Sequence, residues 1–177
     1  MKNMLLKNGT EVIIRKAEKK DAQNMINFYN VVGGETTFLS FGKNEFKMPL
    51  NDYENFIEST NAEKNSIVLV ATINDEIISI ATVESPQKAK GRHVGEFGIV
   101  ISQKYCGLGL GTELMTILIE WAKSNGITKK ISLVTNETNS TAIKLYKNLG
   151  FEEEGILRNE CFIDGVYSNL IYMGLLL

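Results

Sequence analysis

Proline is scarce, at two residues in 177, against a usual share of about 5%. A chain of two domains joined by a Pro-rich linker is therefore not expected; one domain over residues 1–177 is. Cysteine is limited to Cys106 and Cys161, too far apart in sequence for a metal- or redox-type pair, and reduced thiols are expected. His93 is the only histidine, which argues against a His-rich metal site, so no metal is expected. No apolar run approaches the ~18–20 residues of a membrane helix. Met4-Leu5-Leu6 is too short for a signal-peptide core, so a soluble, cytoplasmic protein with no membrane partner is expected. Basic charge is not in excess either. Lys plus Arg is 19 and Asp plus Glu is 21, a net charge of −2, which argues against nucleic acid as the main partner.

What is present is a clear alternation of element signals. Val12-Ile13-Ile14 reads as a short strand, and Asp21 as the N-cap of a helix through about Val31 that Gly33-Gly34 ends. Glu35 to Lys47 reads as irregular, and Pro49 with Asn51-Asp52 opens a second helix carrying Tyr53, Phe56 and Ile57. Ile67 to Ala71 is continuously apolar, as in a strand buried on both faces. Asn74-Asp75 turns it back into Ile77–Val83. After a loop from Pro86 to Gly91, Glu96–Ile101 reads as a central strand. The turn Cys106–Gly111 then leads to a helix ending at Gly126, with Leu110, Leu114, Ile117, Leu118 and Trp121 along one face. Ile131–Thr135 is the next strand. Asn139-Ser140 caps a short helix with Ala142, Leu145 and Leu149 inward and Gly150 at its end. Phe151–Ile163 and Val166–Leu177 form a last hairpin about Asp164-Gly165. This order predicts an α/β (α+β) fold: one mixed sheet flanked by helices on both faces.

The stretch Cys106-Gly107-Leu108-Gly109-Leu110-Gly111 carries the most chemistry. Alternating glycines permit positive φ and turn several N–H groups toward a ligand. The helix that follows adds unpaired donors and a partial positive charge. That combination suits a phosphate or pyrophosphate. It is neither the Rossmann pattern, since the third glycine comes one residue early, nor a Walker loop, since the lysine is missing.

The turn resembles the acetyl-coenzyme A loop of the GCN5-related N-acetyltransferase (GNAT) family, Arg/Gln-x-x-Gly-x-Gly/Ala. Downstream, Asn139, Ala142, Leu145-Tyr146 and Gly150-Phe151 stand where the family often carries Asn, Ala, Leu-Tyr and Gly-Phe. The resemblance covers nearly the whole chain and is densest from Glu96 to Phe151. One position departs from it: Cys106 stands where Arg or Gln is usual, and offers no cation. A nucleophilic Cys106 is conceivable near a helix start, but an inert thiol is the commoner reading.

The resemblance implies a single-domain GNAT-like sheet and an acetyl-coenzyme A-dependent transferase that needs no metal. The cofactor pyrophosphate would lie over Cys106, Gly107, Leu108, Gly109, Leu110, Gly111 and Thr112. The pantetheine arm would run along Ile99, Val100 and Ile101, with the thioester near the C-terminal end of that strand. Asn139, Ala142 and Tyr146 would complete the site. Tyr146 corresponds to the acid that protonates the departing thiolate, although its helical spacing also fits a core tyrosine. Glu96 corresponds to the base of some members, where others use a water chain; a glutamate at a strand end is also often a solvated side chain. The acceptor implied is a primary amine: a protein N-terminus, a polyamine or a small molecule. The last hairpin, with Arg158, Glu160, Asp164 and Tyr167, is similar to ribosomal-protein N-terminal and spermidine acetyltransferase-like members, and matches where relatives cover the acceptor. The Glu152-Glu153-Glu154 run could draw in a cationic amine or be a solvated face. His93 reads as incidental. A homodimer is compatible with the resemblance. A non-catalytic acyl-coenzyme A sensor on the same fold stays open, because of Cys106 and the unsettled base.

Overall fold

The computed structural model describes residues 1–177. All eight strands join one sheet in the order β1-β2-β3-β4-β5-β6-β8-β7. They are β1 (Lys2–Leu5), β2 (Glu11–Lys16), β3 (Ile67–Ile73), β4 (Glu76–Glu84), β5 (Val94–Ile101), β6 (Lys130–Asn136), β7 (Glu152–Ile163) and β8 (Val166–Leu176). The helices are α1 (Ala22–Val32), α2 (Leu50–Ala62), α3 (Leu110–Ser124) and α4 (Ser140–Asn148). No helix is long and apolar enough to cross a membrane.

Two clusters of buried side chains lie on opposite faces of the sheet, as the expected two-sided architecture requires. Met25 and Phe28 of α1 and Tyr53 and Ile57 of α2 pack with Val68, Val70 and Ile80. Leu110, Leu114, Met115 and Leu118 of α3 and Tyr146 of α4 pack with Leu69, Ala81, Val83, Phe97, Ile131 and Leu133. Strand β3 contributes to both clusters, which is why its sequence is apolar without alternation.

Every strand pairing is antiparallel except one. Strands β5 and β6 are parallel and share only Val94–Lys130, Gly95–Ile131 and Glu96–Ser132. Past Glu96, β5 keeps its pairing with β4 as far as Ile101, and β6 keeps its pairing with β8 as far as Asn136. The two halves of the sheet therefore diverge from this short join, and β5 has no strand partner on its β6 side beyond Glu96.

Several expectations needed correction. Strand β1 was not anticipated; it is an edge strand of four residues, three of them exposed, with no buried face to give a periodic signal. Asp21 does not cap α1 with its side chain. Its carboxylate instead accepts from the Glu18 amide at 2.8 Å and from the Arg15 guanidinium at 2.6 and 2.8 Å. Helix α3 starts at Leu110, so Gly111 lies in its first turn rather than before it. Its buried face is rotated from the expected one: Met115 and Ala122 are fully buried, while Ile117 and Trp121 are half-buried. In α4 the fully buried residue is Tyr146, with Ala142, Leu145 and Leu149 half-buried beside it.

The packing of β5 on β4 needs a glycine at position 95. A Cβ at Gly95 would stand 2.6 Å from Val83 Cγ1 on the neighbouring strand. Gly95→Ala is expected to destabilise the fold by about 1–3 kcal/mol, the usual cost of overpacking a core. Urea unfolding of the two proteins at pH 7 measures it, and equal midpoints would contradict the packing described.

Candidate active site

The open edge of β5 leads into the glycine turn. Gly107 and Gly109 have φ of +74° and +94°, so both occupy conformations that side chains disfavour, and Gly109 is the N-cap of α3. Open space surrounds Gly107, while Gly111 lies against Ile101 of β5 and Leu145 of α4. The turn, the end of β5 and α4 thus meet at one place, where Ile99, Ile101, Leu108, Leu110, Ala142 and Tyr146 share one apolar cluster, while the Val100 side chain packs on the opposite face. The turn is pinned from the other side by the β1–β2 loop, where the Lys7 amide donates to the Leu108 carbonyl at 3.1 Å. An anion at this turn would meet glycine amides and the start of a 15-residue helix. The one acid in that helix's first turn, Glu113, is paired with Lys2.

Cys106 is exposed, yet its thiol lies back against the end of β5. Its thiol donates to the carbonyls of Ile101 at 3.8 Å and Ser102 at 3.7 Å, at the end of the strand. Partial burial, together with the negative charge of Glu35, pushes the thiol pKa up. A thiol that stays protonated is a poor nucleophile, which supports the inert reading.

Tyr146 is 7% exposed and lies 6.0 Å, ring to ring, from Phe151. Desolvation alone pushes its phenol up to about 12. The residue is thus a core side chain whose phenol keeps its proton at physiological pH. Asn139 caps α4, its Oδ1 accepting from the Ala142 amide at 3.3 Å.

Glu96 lies on the other face of the sheet. Phe97 and its partner Val83 belong to the α3-side core, so Glu96 and Glu84, which are paired across β5 and β4, point to the α1–α2 side. Neither carboxylate has a cationic partner, although the protein forms seven ion pairs elsewhere. Desolvation and the like charge of Glu96 together hold the Glu84 carboxyl above its ordinary value. Glu84 was not singled out in the sequence, since only strand register shows that it neighbours Glu96.

Beyond the end of β6 is a cavity of about 170 Å³. It is lined by Thr37 and Phe38 from the α1–α2 loop, Asn136 and Thr138 at the end of β6, and Ile163, Asp164, Val166 and Ser168 of the last hairpin. Asp164 and Gly165 have φ of +51° and +82°, confirming the tight hairpin turn. Of the four hairpin residues singled out, only Asp164 lines this cavity. The acidic run does not serve it: Glu153 pairs with Lys147 at 2.8 Å and Glu154 with Lys130 at 2.6 Å. His93 acts through its backbone, its carbonyl accepting from the amides of Lys129 and Lys130. The segment read as irregular holds a further contact. Glu35 accepts from the Gln103 amide at 2.8 Å, tying the α1–α2 loop to the end of β5. Nothing in a lone glutamate before two threonines signals a bond to a residue 68 positions away.

Comparison with known proteins sets this geometry in context. Residues 35–151 match the model of the acetyltransferase (GNAT) family. An L-amino acid N-acetyltransferase of Escherichia coli is 31% identical over 105 residues, 59% of this chain and 65% of that protein. A spermidine N(1)-acetyltransferase of Escherichia coli is 38% identical over 78 residues, 44% of this chain and 42% of the relative. The chain therefore spans about two-fifths to two-thirds of these curated relatives. An acetyltransferase of the GNAT family from Streptococcus pneumoniae superposes with a TM-score of 0.90 at 33% identity, covering 94% of this chain and 99% of that one. A ribosomal-protein-alanine N-acetyltransferase from Brucella melitensis shares the fold, with a TM-score of 0.79 at 24% identity and 93% and 99% coverage.

The state of Cys106 gives a direct check. Because its pKa is raised, alkylation by iodoacetamide at pH 7 is expected to be slower than for a free cysteine, and to accelerate only at a higher pH than a free cysteine requires. Mass spectrometry of the Cys106 peptide across a pH series measures this. A fast, pH-independent reaction near neutrality would show a thiolate instead.

Proposed function

The chain belongs to the acetyltransferase (GNAT) family, and from that premise we propose that residues 1–177 act as an acetyl-coenzyme A-dependent N-acetyltransferase on a primary amine. The observation that carries this reading is the opening between β5 and β6, with the amide-lined turn at one end and a protonated phenol on the helix beside it. The unpaired edge beyond Glu96 supplies backbone donors and acceptors for an extended, amide-bearing arm. The turn Cys106–Thr112 supplies donors for its pyrophosphate. The bound thioester supplies the acetyl group to the amine nitrogen.

The amine approaches from the α1–α2 side. Glu96 accepts its proton, directly or through water, and the like-charged pair with Glu84 favours a cationic acceptor on that face. The requirement for a base depends on the amine. At pH 7 a lysine-type amine costs about 4–5 kcal/mol to deprotonate and an α-amine about 1 kcal/mol. Backbone N–H groups on the open edge of β5 stabilise the oxyanion that forms. As the C–S bond breaks, the Tyr146 hydroxyl gives its proton to the departing sulfur, which leaves as a neutral thiol, and the phenolate regains a proton from solvent. No covalent acyl-enzyme is required, in keeping with the protonated Cys106.

The cavity by Asp164 narrows the acceptor. Its lining holds one carboxylate and an aromatic ring but no lysine or arginine, so nothing there would neutralise a carboxylate next to the reacting amine. Polyamines and peptide N-termini are favoured over free amino acids. Thiol release measured across an amine panel tests both the activity and this preference. Faster turnover of free amino acids than of diamines and N-terminal peptides would overturn the preference, and release with none of them the activity.

Tyr146→Phe is expected to lower kcat by about 100-fold or more, with a much smaller change in the KM for acetyl-coenzyme A. The sign of the pH dependence follows from the raised pKa. The phenol is the protonated, competent form below its pKa, so Tyr146 imposes no alkaline loss of kcat until pH approaches about 12. A kcat profile that falls between pH 8 and 9, and loses that fall in Tyr146→Phe, would contradict it.

A further inference from the structure

Cys106 leaves the glycine turn without the side-chain donor that its position could hold, yet a cation stands close by from another part of the chain. Lys7 lies in the loop between β1 and β2, which is fastened to the turn by the Lys7 amide and the Leu108 carbonyl. Its side chain runs over Gly109: Cε and Cγ lie 3.9 and 4.0 Å from where a Cβ of that glycine would stand. The Lys7 ammonium is exposed and enters none of the seven ion pairs. The neighbouring cations are otherwise engaged. Lys2 is paired with Glu113 and Lys104 lies over the ring of Tyr105, 5.2 Å from its centroid.

We propose that Lys7 is a binding residue for the pyrophosphate of the coenzyme, placed over the glycine turn by the β1–β2 loop and supplying the charge that Cys106 does not. The inference rests on the coenzyme-binding reading above. Two features tie it to this site rather than to the general surface. The stem of Lys7 lies on the residue whose left-handed conformation starts α3, one bond short of an ammonium carried at the same helix start. In addition, Lys2 from the same hairpin pairs with Glu113, the acid in the first turn of α3. The hairpin thus removes a negative charge with one lysine and brings a positive one with the other. Lysine suits the task as a compact charge with three donors on a flexible stem.

The test is calorimetric titration of the full chain with coenzyme A, dephospho-coenzyme A and pantetheine, comparing the natural protein with Lys7→Met, Lys7→Arg and the remote Lys64→Met. Lys7→Met is expected to weaken coenzyme A about fivefold or more, a typical loss for one charge-assisted phosphate contact. Dephospho-coenzyme A should weaken equally, because it retains the pyrophosphate, and pantetheine should not change. Lys7→Arg should restore most of the affinity, and Lys64→Met should change it by less than about twofold at 0.15 M salt, where distant charges are screened. Unchanged coenzyme A affinity in Lys7→Met would overturn the proposal, as would equal weakening of pantetheine or by Lys64→Met. A loss seen with coenzyme A but absent with dephospho-coenzyme A would also overturn it, by assigning Lys7 to the 3′-phosphate. Failure of the natural protein itself to bind coenzyme A would instead sink the reading on which the proposal depends.

Discussion

Three residue pairs hold the two halves of the sheet together, and the rest of the site follows from there being only three. Strand β5 is fully committed to β4, and β6 to β8. Each half keeps its own antiparallel pairing and twists with it, and the parallel contact ends where the two directions part. A longer parallel ladder would satisfy more backbone groups and close the opening. The protein forgoes those hydrogen bonds, each worth about 0.5–1.5 kcal/mol net, and keeps a row of unpaired groups in the middle of its sheet. Gly95, within the join, leaves room for Val83 of β4. The crossover through α3 then brings the glycine turn directly to the end of the open strand.

The same join separates two chemistries. On the α3–α4 side are the phenol of Tyr146 and the amides of the turn, groups that donate hydrogen bonds and remain neutral or partly positive. On the α1–α2 side are the carboxylates of Glu84 and Glu96, paired across β4 and β5 without a cation between them. Glu35 spans from the α1–α2 loop to the end of β5, its carboxylate accepting from the Ser102 hydroxyl and the Gln103 amide.

Much of this was legible in the sequence because the relevant signals are local. Asn74-Asp75 and Asp164-Gly165 turn where such pairs should, with positive φ at all four residues. The glycines of the turn, the Asn139 cap and Gly150 at φ +92° behave as their chemistry dictates. What was hidden depends on partners distant in sequence. Asp21 looks like a cap, but Arg15 and the Glu18 amide claim its carboxylate. The Glu152–Glu154 run looks like a free acidic patch, but Lys130 and Lys147 neutralise two of its members. Glu84 and Glu35 acquire meaning only through strand register and loop packing. Strand β1 has no buried face, so no periodicity could announce it.

A strand at the centre of a sheet that is bare along one side has the properties of an edge, and edges recruit other chains. Here the hazard is contained by shape. The bare stretch runs only from Phe97 to Ile101, and its far wall is not another open strand but one already saturated by β8. Contact of Gly111 with Ile101 and Leu145 closes the end where an invading segment would have to continue. A slender, flexible guest can lie in such a slot, while a polypeptide with side chains on both faces cannot extend through it. The geometry that makes room for a ligand therefore also guards against templated aggregation.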